Sequence, residues 1–419
     1  MIPVLLTVFI DLVGFGVIIP LMPFYAERFG ASPLTVTLLL ASFSALQLFA
    51  APLWGRLSDR IGRRPVLLIS LLTSIAAYLW LGVADALWML FAARALQGAS
   101  AGNISVAQAY MADLTTAENR AKGMGMLGAA FGLGFIVGPA IGGWLAGSDP
   151  SLMSVERPAF VAAALSALAL ASALIWLPES LPAAQRAAPG AARRGRVASV
   201  TDAFRRPRLR ALMVLFFTTI FAFAGMETTF ALYASREFAW GPRQVGLMFG
   251  FIGIVLVIVQ GGLIGRLTRR FGEQRILLAG TLTIGLGMAV LGLAWTPTIG
   301  ILGSVFLAIG MGMAQPTSNA LISREAASTE QGEIMGVNQS VGSLARFVGP
   351  AVAGLAFGSL GPRAPYLLGT AVMLLAAVLA SRLARQDWAR PPQAQPQAPA
   401  QPQAQAQAQA PAHPQAQAR

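Results

Sequence analysis

The sequence predicts an all-α membrane protein, with twelve transmembrane helices in two parallel six-helix halves around a central cavity. Three observations support this fold class: an apolar composition, apolar segments that recur along the chain, and a repeat that spans six of them. Of the 419 residues, 56% are hydrophobic and only 11% are charged. A soluble core cannot bury that much apolar surface, so the composition indicates an integral membrane protein.

Twelve apolar segments are long enough to cross a hydrocarbon core about 30 Å thick at about 1.5 Å per helical residue. The first begins without a basic segment or a small-residue cleavage site, so we expect it to be retained. The predicted spans cover residues 3–25, 34–54, 65–84, 87–111, 123–147, 157–177, 211–235, 244–264, 276–295, 298–322, 334–358 and 364–381.

The distribution of basic residues predicts the orientation of these spans. With a cytoplasmic Met1, the inner loops contain nineteen Lys and Arg residues and the outer loops contain five. This asymmetry predicts a multi-pass protein of the cell (inner) membrane with both termini in the cytoplasm. The net charge of +13 is therefore a topology signal, and nucleic-acid binding is not predicted because the arginines lie in separate short loops.

Composition changes divide the chain into four predicted regions. Residues 1–177 form a first six-helix bundle and residues 211–385 form a second. Between them, residues 178–210 form a basic cytoplasmic linker interrupted by Pro and Gly. Residues 386–419 are rich in Pro, Gln and Ala, and we expect this tail to be disordered because it offers few large apolar groups.

An internal repeat relates the two bundles. "GRLSDRIGRRPVLL" at 55–68 matches "GRLTRRFGEQRILL" at 265–278, and "GPAIGG" at 138–143 matches "GPAVAG" at 349–354. The period of about 210 residues equals six spans, an even number, so both halves have the same orientation in the membrane. Such parallel halves are typical of transporters whose binding site lies near the midplane.

Several kinds of chemistry are excluded by residues that the chain lacks. It has no cysteine, its one histidine is His413 in the tail, and its one lysine, Lys122, does not follow a phosphate-binding glycine loop. With no nucleophile–base pair or metal-ligand cluster in the sequence, we predict neither an enzyme nor a metal or cofactor.

Three motifs follow one another along the chain: "GRLSDRIGRRPVLL" at 55–68, "RALQGASAGN" at 94–103 and "GLGFIVGPAIGGWLAG" at 132–147. They resemble, in this order, the loop between spans two and three, the span-four motif and the span-five motif of the major facilitator superfamily. Within that family the chain is similar to the drug:proton antiporters that include the tetracycline exporters. The resemblance covers residues 3–381 and implies proton-driven export by alternating access.

A charge cluster at the inner membrane face is the first predicted functional element. Asp59, Arg60, Arg63 and Arg64 lie between the ends of spans two and three, and Asp113 at the inner end of span four is the natural partner of an arginine here. Positive-inside anchoring would explain the arginines but not the acid among them. The resemblance implies that such a cluster latches the inner gate in the outward-facing state.

Span five contains a second predicted gating element at Gly138, Pro139 and Gly142. A proline inside a helix removes a backbone hydrogen bond, and glycines allow close helix packing. The segment suits a hinge or a proton-tight seal, and ordinary packing would use the same residues.

Four charged residues inside spans are the predicted proton-coupling residues. Asp11 and Glu227 are the acids that fall within spans, and Arg94 and Arg346 are the basic counterparts. A carboxylate in hydrocarbon costs at least about 2.5 kcal/mol, so such a residue is a functional candidate by default. We predict that Asp11 carries the proton and that Glu227 shares the task. Glu227 could instead bind a cationic substrate, and either acid could form a structural pair with an arginine.

Neutral polar residues within spans are the predicted lining of a substrate cavity: Gln47, Asn103, Gln108, Gln260, Gln315, Asn319, Asn338 and Gln339. The tetracycline exporters carry an intramembrane His and Asp in spans eight and nine and an acid in span three. This sequence has Leu256, Thr283 and Ala77 there. The resemblance therefore does not extend to tetracycline as the substrate.

The predicted function is export of small amphipathic molecules in exchange for protons, by a protein that lies in the lipid bilayer and acts as a monomer. A proton-coupled importer of a small metabolite is the alternative on the same fold, although it would need a denser polar cavity. A channel is less suited to duplicated halves with a latch, and a membrane enzyme lacks its catalytic groups.

Overall fold

The computed structural model describes residues 2–101, 103–116, 119–149, 153–154, 156–182, 184, 186, 196–326 and 330–385. In this part of the chain, eleven helical segments are long and apolar enough to cross a membrane. A twelfth span is interrupted: α5 ends at Ser100 and α6 begins at Asn103, so neither helix alone has that length. Counted together, they complete the twelve predicted spans.

The first six spans are α1 (Ile2–Ile18) with α2 (Met22–Arg28), α3 (Pro33–Ile61), α4 (Arg63–Gly82), α5 (Leu87–Ser100) with α6 (Asn103–Asp113), α7 (Arg120–Ala146) and α8 (Glu156–Trp176). After helix α9 (Arg196–Arg205), spans seven to twelve are α10 (Pro207–Phe238), α11 (Pro242–Ile258) continued by a π-helical turn (Val259–Leu263) and α12 (Ile264–Phe271), α13 (Glu273–Gly292), α14 (Pro297–Glu325), α15 (Gln331–Leu360) and α16 (Ala364–Ala384).

Helix α9 lies in the segment predicted as a linker and packs on α10 and α15. The sequence indicated a Pro- and Gly-interrupted connection but gave no sign of this helix. Residues 187–195 of the linker and the whole predicted tail, 386–419, lie outside the described residues.

The packing of the helices repeats between the halves as the sequence does. Span one packs on span five and span three on span six; correspondingly, span seven packs on span eleven and span nine on span twelve. The repeated glycines Gly62 and Gly272 separate the paired helices with φ of 107° and 83°. Residues with a side chain rarely adopt a positive φ, which explains why both copies have a glycine at this position.

The halves meet along two helix pairs, α3 with α15 and α7 with α11. We call the end of the bundle that carries the arginine-rich loops the inner end, and the opposite end the outer end. The central cavity that the sequence predicts would lie between these two pairs.

Candidate functional site

The seam between α7 and α11 is closed at the outer end by glycines. A Cβ atom added to Gly246 would lie 2.8 Å from the Cα of Gly143, and one added to Gly253 would lie 3.2 Å from the Cα of Ile136. One turn further in, a Cβ on Gly132 would lie 3.0 Å from the side chain of Val257. The helix backbones therefore approach each other closely over the outer half of the seam.

The same seam is open towards the inner end. Gly128 and Gly261 occupy the next positions after the contact of Gly132 with Val257, and a Cβ on either would meet no atom within 4 Å. The second seam is also closed outside, where a Cβ on Gly354 would lie 2.9 Å from the Cβ of Thr37. The halves thus touch at the outer end and diverge towards the inner end.

The predicted inner charge cluster centres on Arg63, which is buried. Its Nη1 donates to Asp59 Oδ1 at 2.6 Å and to Ser58 Oγ at 2.7 Å, and its Nε donates to Asp113 Oδ2 at 3.2 Å. Ser180 also donates to Asp113 at 2.9 Å. These contacts bring spans two, three and four together within the first half.

Glu179 holds the start of α4. Its carboxylate accepts the main-chain N–H of Arg63 at 2.8 Å and that of Arg64 at 3.2 Å. An anion suits the positive end of a helix dipole, and Glu179 supplies it for α4. The "PES" at 178–180 directly after span six was the available signal for Glu179. Arg64 donates to the Leu174 carbonyl at 2.8 Å, and Arg60 is exposed.

Glu227 of span seven is half-buried and lies within electrostatic range of Arg346 of its own half and of Arg94 of the other half. Arg94 is 3% exposed and donates to Gln97 Oε1 at 2.8 Å.

Arg94 is enclosed by aromatic rings from spans one and two. Its guanidinium lies 5.5 Å from the ring centroid of Phe15 and 4.9 Å from that of Phe43, close enough for cation–π attraction. The sequence did not indicate Phe15. The ring centroids of Phe15 and Phe43 lie 5.0 Å apart. The charge of Arg94 is therefore held by Phe15 of span one, Phe43 of span two and Gln97 of span four.

Asp11 lies in span one and contacts span six of the same half. It is 6% exposed and accepts a hydrogen bond from Ser166 of span six at 3.2 Å. Asp11 lines a narrow pocket together with Thr7, Val8, Leu12, Leu67, Leu71 and Phe131. These contacts of Asp11 therefore all come from the first half.

The span-five gating residues pack mainly on span one. A Cβ on Gly138 would lie 2.7 Å from the Cα of Gly16, and one on Gly142 would lie 2.9 Å from the carbonyl carbon of Val17. The carbonyl of Pro139 faces Gly246 across the seam. This segment therefore joins the packing of the first half to the contact between halves.

The predicted cavity residues are dispersed. Asn338 donates to Asn319 at 2.9 Å and ties span eleven to span ten, and Gln47 is buried in span two. Gln315 is half-buried, and the exposed side chains are Gln108, Gln339 and Gln260, the last of these in the π-helical turn. The side chain of Asn103 lies outside the described residues.

Comparisons with known proteins give a consistent family. The model of the Major Facilitator Superfamily matches residues 4–350 and 262–416. The class C tetracycline resistance protein of Escherichia coli is 32% identical over 359 residues, with 84% of this chain and 88% of that protein covered. Multidrug resistance protein 2 of Bacillus subtilis is 30% identical over 376 residues, with 88% and 91% covered.

Solved structures show the same fold. The human organic anion transporter MFSD10 (TETRAN) superposes with a TM-score of 0.70 at 26% identity, covering 90% of this chain and 98% of that chain. A POT family transporter in complex with 5-aminolevulinic acid superposes with a TM-score of 0.75 at 16% identity, with 91% and 94% covered, and this likeness concerns the fold alone.

Proposed function

The chain belongs to the Major Facilitator Superfamily, and we propose that it exports small amphipathic molecules in exchange for protons by alternating access. Its relatives at about 30% identity are named for tetracycline and multidrug resistance, which favours export over the import of a metabolite. Members of this family are transporters and not enzymes. The observation that carries the mechanism is an acid, Glu227, within electrostatic range of one arginine from each half, Arg94 and Arg346.

In alternating access, the cavity opens to one side of the membrane at a time. The glycine seam is closed at the outer end and open at the inner end, and the arginine excess assigns the inner end to the cytoplasm. The structure therefore corresponds to an inward-open state. In this state the exporter takes up its substrate from the cytoplasm or the inner leaflet of the membrane.

Proton coupling is assigned first to Glu227. When ionised, its carboxylate attracts Arg94 from one half and Arg346 from the other, and this attraction is lost when the carboxylate is protonated. The charge of one group thereby changes the relative free energy of two arrangements of the halves, which is the requirement for coupling. Asp11 was the first choice from sequence, but its contact with Ser166 lies within a single half.

Asp11→Asn provides a graded test of this assignment. The asparagine can keep the contact with Ser166 only in weaker form, and an interhelical hydrogen bond in a membrane protein contributes about 0.6 kcal/mol, or about a threefold effect. We expect about a threefold decrease in the rate of gradient-driven export, with proton release per substrate unchanged. Complete loss of proton release would return the coupling role to Asp11.

The Arg63 cluster is proposed as the inner latch, which reaches across to the second half when the inner end closes. Asp59→Asn removes one of the two carboxylates that hold the buried Arg63 and leaves Asp113. We expect loss of transport with normal insertion, because one partner of a buried ion pair is removed. The control is Asp202→Asn, since Asp202 forms an exposed ion pair with Arg206 at the same end. Equal transport by both variants would remove the latch.

A further inference from the structure

We propose that Glu27 and Arg236 are positioning residues of the transport cycle, and that their ion pair holds the outer end closed in the inward-open state. The inference rests on the proposed function, because it assigns the pair to one of the two states through which a transporter alternates. It concerns residues at the outer end, away from the acids and arginines of the membrane centre.

The pair connects the two halves directly. Arg236 Nη2 lies 3.4 Å from Glu27 Oε1, and the two residues are 209 positions apart. Glu27 lies in the last turn of span one, and Arg236 lies near the end of span seven, which is the corresponding span of the second half. When the outer ends separate, this contact must break.

A ring of span eleven fixes the position of Arg236. The guanidinium lies 4.9 Å from the centroid of Phe357, which is 1% exposed. One turn earlier on the same helix, Gly354 packs against Thr37 of span two. Arg236 is therefore held on the second half beside a place where the two halves are in close contact, and Glu27 is the group that approaches from the first half.

A second ion pair at the same end provides the comparison. Arg363 donates to Glu237 Oε2 through Nη2 at 2.7 Å and through Nε at 3.0 Å, and both residues belong to the second half. The hydrogen bond raises the pKa of Arg363 above its ordinary value. This pair is shorter than that of Glu27 with Arg236 but does not join the halves, so its loss leaves their separation unchanged.

The expected size of the effect follows from exposure. The side chains of Arg236 and Glu27 are 45% and 33% exposed, so water screens their attraction. Exposed ion pairs and exposed cation–π contacts each change an equilibrium by about a factor of two to five. Such a contact shifts the equilibrium towards outer-closed molecules by a small factor. The outer end can therefore still open in every transport cycle.

The test measures the distance between halves by electron spin resonance. Because the chain has no cysteine, labels can be placed on cysteines introduced at exposed Asp85 in the first half and exposed Ser359 in the second. We expect Glu27→Gln to increase the ratio of outer-open to outer-closed molecules about threefold. Arg236→Gln should increase it to about the same extent, because its contact with Phe357 lies within the second half and does not join the halves.

Two further variants separate the ion pair from general damage. The exchange of charges, Glu27→Arg with Arg236→Glu, should return the ratio towards that of the unaltered protein. Glu237→Gln removes the partner of Arg363 and should leave the ratio unchanged. If Glu237→Gln opens the outer end as much as Glu27→Gln does, the ion pair of Glu27 with Arg236 is not what holds the outer end closed.

The outcome also distinguishes the role of the Glu27–Arg236 ion pair from the proposed function. Ethidium, an amphipathic cation, serves as the substrate probe. If ethidium and a change of pH shift the ratio in the unaltered protein while Glu27→Gln does not, the role of the ion pair is overturned and alternating access stands. If every variant and condition gives the same single outer-closed distance, both are overturned. A threefold shift with Glu27→Gln that the exchange of charges reverses supports the role of the Glu27–Arg236 ion pair.

Discussion

Glu227→Gln is expected to abolish proton-driven export while the protein still inserts into the membrane and binds its substrate. Glutamine has nearly the same shape as glutamate but cannot gain or lose a proton at physiological pH. The attraction that Arg94 and Arg346 exert on the carboxylate would be permanently removed, so the two arrangements of the halves would no longer respond to pH. The measurement is accumulation of ethidium against its gradient in proteoliposomes, with proton release recorded in parallel.

The outcome separates the two intramembrane acids. Glu227→Gln should reduce accumulation to the level of liposomes without protein, although equilibrium binding of ethidium stays within a few-fold of the unaltered protein. Asp11→Asn serves as the matched variant, because it also neutralises a carboxylate inside a span. If Glu227→Gln still accumulates ethidium with normal proton release and Asp11→Asn does not, the assignment of Glu227 is wrong.

Gly246→Val is expected to prevent the outer end from closing and to stop transport. An added Cβ would lie 2.8 Å from the Cα of Gly143, a distance that real Cβ atoms essentially never show. It would also lie 3.0 Å from the nitrogen of Gly143, which would force that residue to move. The obstructing atoms belong to a helix backbone and cannot rotate away as a flexible side chain would. The variant should therefore accumulate in an outward-open state, as judged by labelling of cysteines introduced on either side.

Gly128→Val on the same seam should give the opposite result. No atom lies within 4 Å of a Cβ at Gly128 in the inward-open state, so the valine is tolerated there. Because Gly128 lies one turn further in on α7 than Gly132, which approaches Val257, the added side chain obstructs closure of the inner end and favours the inward-open state. Gly358→Ala, at an exposed outer position with open space, is the control that should change neither state. Normal transport by Gly246→Val would contradict this account of the seam.

The sequence predicted the spans well because their signal is local. A run of about twenty apolar residues identifies a membrane helix without knowledge of its neighbours, and the repeat at 55–68 and 265–278 follows from simple alignment. The break in span four was not predicted, because the segment 98–103, "GASAGN", contains no proline that would mark the end of a helix. Helix α9 was missed because its polar, basic sequence is also typical of a linker.

The site was predicted only where its contacts are local or carried by a motif. Asp59 and Arg63 belong to the motif at 55–68, so the sequence located both residues at the inner face, although Gly62 places them on different helices. The approach of Ser166 to Asp11, of Arg94 to Glu227 and of Glu27 to Arg236 depends on helix packing between segments more than 100 residues apart. No periodicity in a single sequence records such contacts, so the choice between Asp11 and Glu227 as the coupling residue stays a prediction that the two variants test.

Proton–substrate exchange by the purified protein is the central claim, and proteoliposomes with an acidic lumen test it most directly. Ethidium is added outside while a trapped dye reports the pH of the lumen. The account predicts that ethidium accumulates inside, that the lumen becomes alkaline as it does so, and that an uncoupler abolishes both changes. Accumulation that requires an alkaline lumen would indicate an importer, and equilibration of ethidium without any proton movement would indicate an uncoupled carrier or a channel; either result would contradict the proposed antiport.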